Sequence, residues 1–162
     1  MKIIKSDLQH EDDEMLYSNE FFSNLILSTN DLDNDTRLIV MGAEHGNTEC
    51  LEKVGDFFYR GENNFFQSDH YAYLCYDKAA EKGKIESMKK SAKMNEEGIG
   101  TEIKLKKSYT IYKKLLEKIP EDDPERPEII KRMNEIDDKM KTIILKNIPS
   151  NITSHHIEQI FS

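Results

Sequence analysis

Lys89, Lys90 and Lys93, followed by Lys104, Lys106, Lys107, Lys113 and Lys114, belong to a stretch (84–118) that carries ten basic residues against five acidic ones. Ammonium groups at this density are chemistry for holding an anion. The expected contact set is Lys89, Lys90, Lys93, Lys106, Lys107, Lys113 and Lys114. The anion would be an acidic protein segment or a phosphate backbone. Asp31, Asp33 and Asp35 place carboxylates at alternate positions, as a calcium loop does. Its sixth and twelfth places hold Thr36 and Gly42 instead of glycine and a bidentate glutamate. An acidic turn that starts a helix is the expectation there. His155 and His156 are neighbours, about 100° apart on a helix, and cannot share a metal as an i, i+4 pair would. His10, His45 and His70 stand in separate segments with no serine or cysteine arrangement around them, so no nucleophilic triad is implied. Cys50 and Cys75 lie in apolar helical stretches and read as reduced, buried thiols. The chain implies no catalytic residue, metal site, cofactor or small-molecule substrate.

The elements that would carry these residues are all helical in pattern. Met15, Leu16, Phe22, Leu25 and Ile26 predict a first helix over 12–28, and Leu38, Ile39 and Met41 a second over 36–45, closed by Gly46. Cys50, Leu51, Val54, Phe57 and Phe58 recur at three- and four-residue steps, with Gly55 among them as a point of close helix approach. Ser68 offers an N-cap to a helix through Tyr71, Ala72, Cys75, Tyr76, Ala79 and Ala80. The pattern then returns. Ala43-Glu44-His45-Gly46 reappears as Ala80-Glu81-Lys82-Gly83, and Gly61 as Gly98, each 37 residues on. A fixed period in this range marks stacked helical hairpins, none of which can bury its apolar face alone. Repeats are expected over about 43–83 and 84–118. The later copy is the weaker one, because Ser91 and Asn95 stand where the first has Val54 and Phe58, as in a terminal unit with a half-covered face. Pro120, Pro124 and Pro127 form a linker before a capping helix over 125–141, whose apolar side is Ile129, Ile130, Met133, Ile136 and Met140.

Gly46-Asn47-Thr48-Glu49-Cys50, Val54-Gly55, Phe58 and Gly61, then Asp69, Ala72, Tyr76, Lys78-Ala79-Ala80 and Gly83, resemble the Sel-one-like repeat, a branch of the tetratricopeptide superfamily. The second copy keeps Gly98-Ile99-Gly100 but has Leu115-Leu116 in place of the alanine pair, which would widen its helix crossing. The resemblance implies an all-α, short right-handed solenoid of antiparallel helix hairpins that serves as a non-enzymatic scaffold or adaptor. Its partner would be a peptide or helix of another protein, held in a concave groove along the first helix of each hairpin. The tail over 142–162 is similar to the opening strand and first helix of an RNA-recognition motif, with Ile144 where a stacking aromatic is usual. It is either the start of a module cut short or a short strand and capping helix folded back on the solenoid. Together with the lysine stripe of residues 89–114, through which RNA or an acidic partner would be contacted, this second resemblance makes a ribosome- or ribonucleoprotein-associated factor the alternative function.

A chain of 162 residues is long enough to build one core, which puts 1–141 in a single helical-repeat domain. The net charge of −8 argues against nucleic-acid binding over the whole surface. No stretch approaches the roughly 18 apolar residues of a membrane span, and the N-terminus has no apolar leader core, so a cytoplasmic or nuclear protein is expected.

Overall fold

A computed structural model describes residues 32–149 together with Asn151, His155, Glu158 and Gln159. The helix expected over 12–28 lies outside them, as does most of the tail. Six helices fill the described region: α1 (Asn34–Glu44), α2 (Thr48–Arg60), α3 (Asp69–Glu81), α4 (Ile85–Glu97), α5 (Leu105–Lys118) and α6 (Arg126–Lys146). No strand forms among the described residues.

Side chains that compete for backbone amides start the first three helices. Asp33 accepts from the Thr36 amide at 2.7 Å, Asn47 from Cys50 at 3.0 Å and Ser68 from Tyr71 at 3.3 Å. The acidic turn at Asp33 and Asp35 is therefore the N-terminal end of α1. Its cap bonds hold the Asp33 carboxyl below the usual carboxylate range, the Thr36 amide contributing most.

The period of 37 is written into the backbone. α2 closes where the amides of Gly61 and Glu62 both donate to the Phe57 carbonyl, and α4 where those of Gly98 and Ile99 both donate to Met94. Both closures need a left-handed residue, and Gly61 and Gly98 supply it at φ 68° and 71°. Gly46 and Asn47 donate to Ala43 and Gly42 just as Gly83 and Lys84 donate to Ala80 and Ala79. The Ser68 amide reaches back to the Phe58 carbonyl, and the Lys104 amide to Asn95.

Within a unit the helices are antiparallel: Gly55 lies against Tyr76 and Phe58 against Tyr71, so rising numbers on α2 meet falling ones on α3. Between units they are parallel and in register. Lys84 bonds to Glu49, Ser87 to Glu52 at 2.7 Å and Lys90 to Asp56 at 2.9 Å, so α4 repeats the course of α2. The same relation carries α6. Glu125 meets Lys89 at 2.7 Å and Arg132 meets Glu96 at 3.1 Å, which sets α6 beside α4 as a further first helix. The expected capping helix is thus the opening half of a third unit, and it starts with Pro127 in its first turn, where a missing amide costs nothing.

One core lies between α1, α2 and α3, where Phe58 sits edge-on to Phe65 at 4.9 Å and against Tyr71 at 5.3 Å. A second, built from Met88, Ala92, Tyr112, Leu115, Ile129 and Ile136, joins α4, α5 and α6.

Three sequence expectations are corrected. Ser91 and Asn95 do not face half-covered space but are 0% exposed, because polar groups of α3 meet them. Ile130 leaves the apolar side of α6 and is 43% exposed, while Ile129 and Ile136 are buried at the spacing of two helical turns. The strand expected at the start of the tail does not form: α6 runs on through Lys146, so Ile143, Ile144 and Leu145 are helical and exposed.

Candidate functional site

The seven lysines expected to act together are divided among four places. Lys89, on the α6 side of α4, pairs with Glu86 at 3.0 Å and Glu125 at 2.7 Å. The hydrogen bond to Glu125 is the largest effect raising its pKa. Lys90 turns toward α2, pairs with Asp56 and lies 4.6 Å from the Tyr76 ring centroid. Lys93 lines a cleft of about 250 Å³ between α2 and α4, beside Tyr59 and Arg60. Lys113 is exposed and lines neither this cleft nor the larger one.

Lys106, Lys107 and Lys114 meet in the larger cleft, a groove of about 810 Å³ between the C-terminal half of α3 and the length of α5. Its floor is apolar, made by Ala80, Met88, Leu105 and Ile111, and its rim is cationic, made by Lys82, Lys104, Lys106, Lys107, Lys114 and Lys118. Lys82, Lys104 and Lys118 lie outside the contact set expected from the sequence. A signal for one of them exists, because Lys107, Ile111, Lys114 and Lys118 recur at i, i+4, i+7 and i+11 and so share one face of α5.

The rim lysines differ in what they are already doing. Lys107 donates to Asp77 at 2.6 Å and to the Tyr73 hydroxyl at 3.1 Å. Burial alone would lower its pKa, but these bonds and the Asp77 charge outweigh that and hold it above the ordinary lysine value. Lys82 donates to the Gly46 carbonyl at 2.9 Å. Lys104 stands 5.8 Å from the Tyr73 ring centroid. Lys106, Lys114 and Lys118 enter no ion pair among the described residues, and all three are exposed.

Beneath the groove lies a polar network that sequence reasoning missed. Asp77, 3% exposed, accepts from Ser91 at 2.7 Å on one oxygen and from Lys107 on the other. The Tyr73 hydroxyl donates to Asn95 at 3.2 Å, and Asn95 donates to the Ser91 carbonyl at 2.8 Å. Its members come from α3, α4 and α5, so it ties one unit to the next. Each buried polar atom named here has a partner, which is the condition for such a network to stabilise.

No three histidine, cysteine or acidic side chains gather to hold a metal among the described residues. No helix there is long and apolar enough to cross a membrane. The arrangement can grip an anion with an apolar side. Comparison with known proteins finds no matching family model, no matching curated protein and no matching solved structure.

Proposed function

We propose that this chain is a non-enzymatic helical-repeat scaffold, of the Sel-one-like kind, that holds a segment of another protein. One observation carries the reading: stacking in register opens a continuous groove between successive second helices, α3 and α5, with an apolar floor and a lysine rim. Such concave, mostly apolar surfaces with a few directed polar groups are where solenoids and helix pairs take their ligands. The larger groove follows the second helices, so this reading puts the partner there rather than along the first helices, where the resemblance puts it. The cleft beside Tyr59 and Lys93 is its smaller counterpart on the first helices. Two cysteines, one of them fully buried, suit a reducing compartment such as the cytosol.

The ribonucleoprotein alternative draws less support. Lys89, Lys90 and Lys107 spend their charge on the chain's own carboxylates, which interrupts the expected seven-lysine stripe among the described residues. Affinity capture from cell extract, with and without ribonuclease, separates the two. Protein partners that survive digestion fit the scaffold. Their complete loss on digestion refutes it.

A further inference from the structure

Lys106, Lys114 and Lys118 are the decisive groups, because they face the groove, are exposed and have no acidic partner among the described residues. The opposite wall is not a second cationic row. It supplies Asp77, already engaged by Lys107, Glu81, and a single lysine, Lys82, which donates to the Gly46 carbonyl. A ligand in the groove therefore meets positive charge along α5 and apolar surface from Ala80, Met88, Leu105 and Ile111 below. Inorganic polyphosphate or a bare nucleic-acid backbone would satisfy the lysines and leave that floor unused. A purely apolar helix would cover the floor and strand the ammonium groups. Only a ligand that carries both kinds of group satisfies both.

Length narrows the ligand further. The 14 residues of α5 extend about 21 Å at the rise of an α-helix, and an extended chain covers that distance in about six residues. Successive side chains of an extended segment point to opposite sides, so acidic residues can meet the rim while alternate apolar ones enter the floor.

Resting on the scaffold reading above, we propose that the α3/α5 groove is the binding site for a short acidic segment of a partner protein, about six residues long and extended, with apolar residues alternating with aspartate or glutamate. Complementary charge chooses the partner and speeds its approach, and burial of the apolar residues holds it.

A displayed library of random peptides about eight residues long, selected on the full chain, tests this directly. The expected enriched sequences alternate acidic and apolar positions. Their binding weakens with added salt and falls at least tenfold in the triple variant Lys106→Glu, Lys114→Glu, Lys118→Glu. Because those side chains are exposed, the variant keeps the wild-type circular dichroism and melting temperature. Ile111→Thr gives an independent arm that weakens binding without changing the salt slope. Enriched sequences with no acidic excess, acidic sequences with no apolar positions, or affinities indifferent to the charge reversal each overturn the proposal. So does an oligouridylate that competes as strongly as the selected peptides. Failure here is distinguishable from failure of the scaffold reading: proteins captured after ribonuclease by both the wild type and the triple variant would leave a scaffold that binds elsewhere.

Discussion

Adding a single methyl group at Gly55 tests the packing of the first unit. In the middle of a helix, alanine is ordinarily better than glycine by roughly 1 kcal/mol, so Gly55→Ala should stabilise α2 if nothing lies against it. Something does. A Cβ at this position would stand 2.6 Å from Tyr76 Cε1 and 2.8 Å from Cδ1, well inside contact distance. The ring cannot simply move aside, because Tyr76 is 2% exposed, its hydroxyl donates to Asp56 at 2.6 Å, and the Lys90 ammonium lies over its face. Overpacking of a filled core costs roughly 1–3 kcal/mol. A strained hydrogen bond to a charged acceptor can add roughly another 1 kcal/mol. Against the gain in propensity, the net loss is about 2 kcal/mol, which for a chain of this size lowers Tm by about 4–8 °C. Thermal melts of the two proteins measure it. A Gly55→Ala variant as stable as the wild type, or more so, would refute the close crossing. The cycle with Tyr76→Leu identifies the cause: without the ring, Gly55→Ala becomes neutral or stabilising, and an unchanged cost in that background would show that the ring is not responsible.

The buried network gives a second expectation. Asp77→Ala leaves Ser91 without its acceptor and Lys107 without its counter-ion, and because the Lys107 side chain remains 37% exposed, the cost falls at the lower end for a broken pair, about 2–3 kcal/mol in urea unfolding. A loss below about 0.5 kcal/mol would show that the carboxylate is solvated. Burial, together with Asp56 and Glu96 beside them, pushes the Tyr76 and Tyr112 phenols above their ordinary value, and Lys107 is held high as well. Groups raised in the folded state stabilise it fully below their unfolded values and lose that contribution as pH rises through the folded ones, so stability falls above about pH 10. Urea melts that are flat from about pH 9 to 11.5, or phenol absorbance showing Tyr76 and Tyr112 ionised before unfolding, would contradict this. Burial also pushes the Cys75 thiol up to about 12. In the folded Cys50→Ala variant a disulfide exchange reagent at about pH 8 should find no reactive thiol, and should find one after denaturation. Rapid reaction in the native variant would mean that α3 is open to solvent.

What is legible in the sequence is local, and what it hides is contributed from elsewhere in the chain. The 37-residue return of Gly46 and Gly61 at Gly83 and Gly98 is a backbone requirement, visible wherever a helix must end in a left-handed residue. Ser91 and Asn95 resemble an unfinished face because a polar residue in a helical core position is readable only with its partners. Those partners, Asp77 and Tyr73, sit on α3. The lysines mislead for the same reason. Their spacing on α4 and α5 is plain, but apart from Glu86 beside Lys89 the carboxylates that occupy Lys89, Lys90 and Lys107 in the closest pairs come from residues 30 to 36 positions away. α6 is readable as a helix but not as a third unit, since its sequence retains none of the glycine punctuation and only Glu125 and Arg132 disclose its register. The likeness of the tail to the opening of an RNA-recognition motif suggests a strand, yet Ile143 and Ile144 continue a helix already nucleated and packed over Ile129 and Ile136.

Most of the ionic and polar contacts between units share a direction, Lys89–Glu125 and Tyr73–Asn95 running the other way, and this direction explains why the chain carries so many lysines despite its negative net charge. Glu49, Glu52 and Asp56 on α2 meet Lys84, Ser87 and Lys90 on α4, and Glu96 on α4 meets Arg132 on α6. Acids of one first helix face donors of the next. Apolar surfaces alone would let parallel helices slip by a turn at little cost, since an i+4 shift presents a similar stripe. A slipped register here would leave Asp77 buried without Lys107 and Glu96 without Arg132, and unpaired buried carboxylates cost several kcal/mol. The polar pairs therefore act more on register than on total stability, and register is what aligns α3 with α5 to form the groove. The basic segment thus serves two purposes. Lys89, Lys90 and Lys107 fix the stack, and Lys106, Lys114 and Lys118 are left as the exposed, unpaired cations of the groove, the ones proposed above to meet a partner.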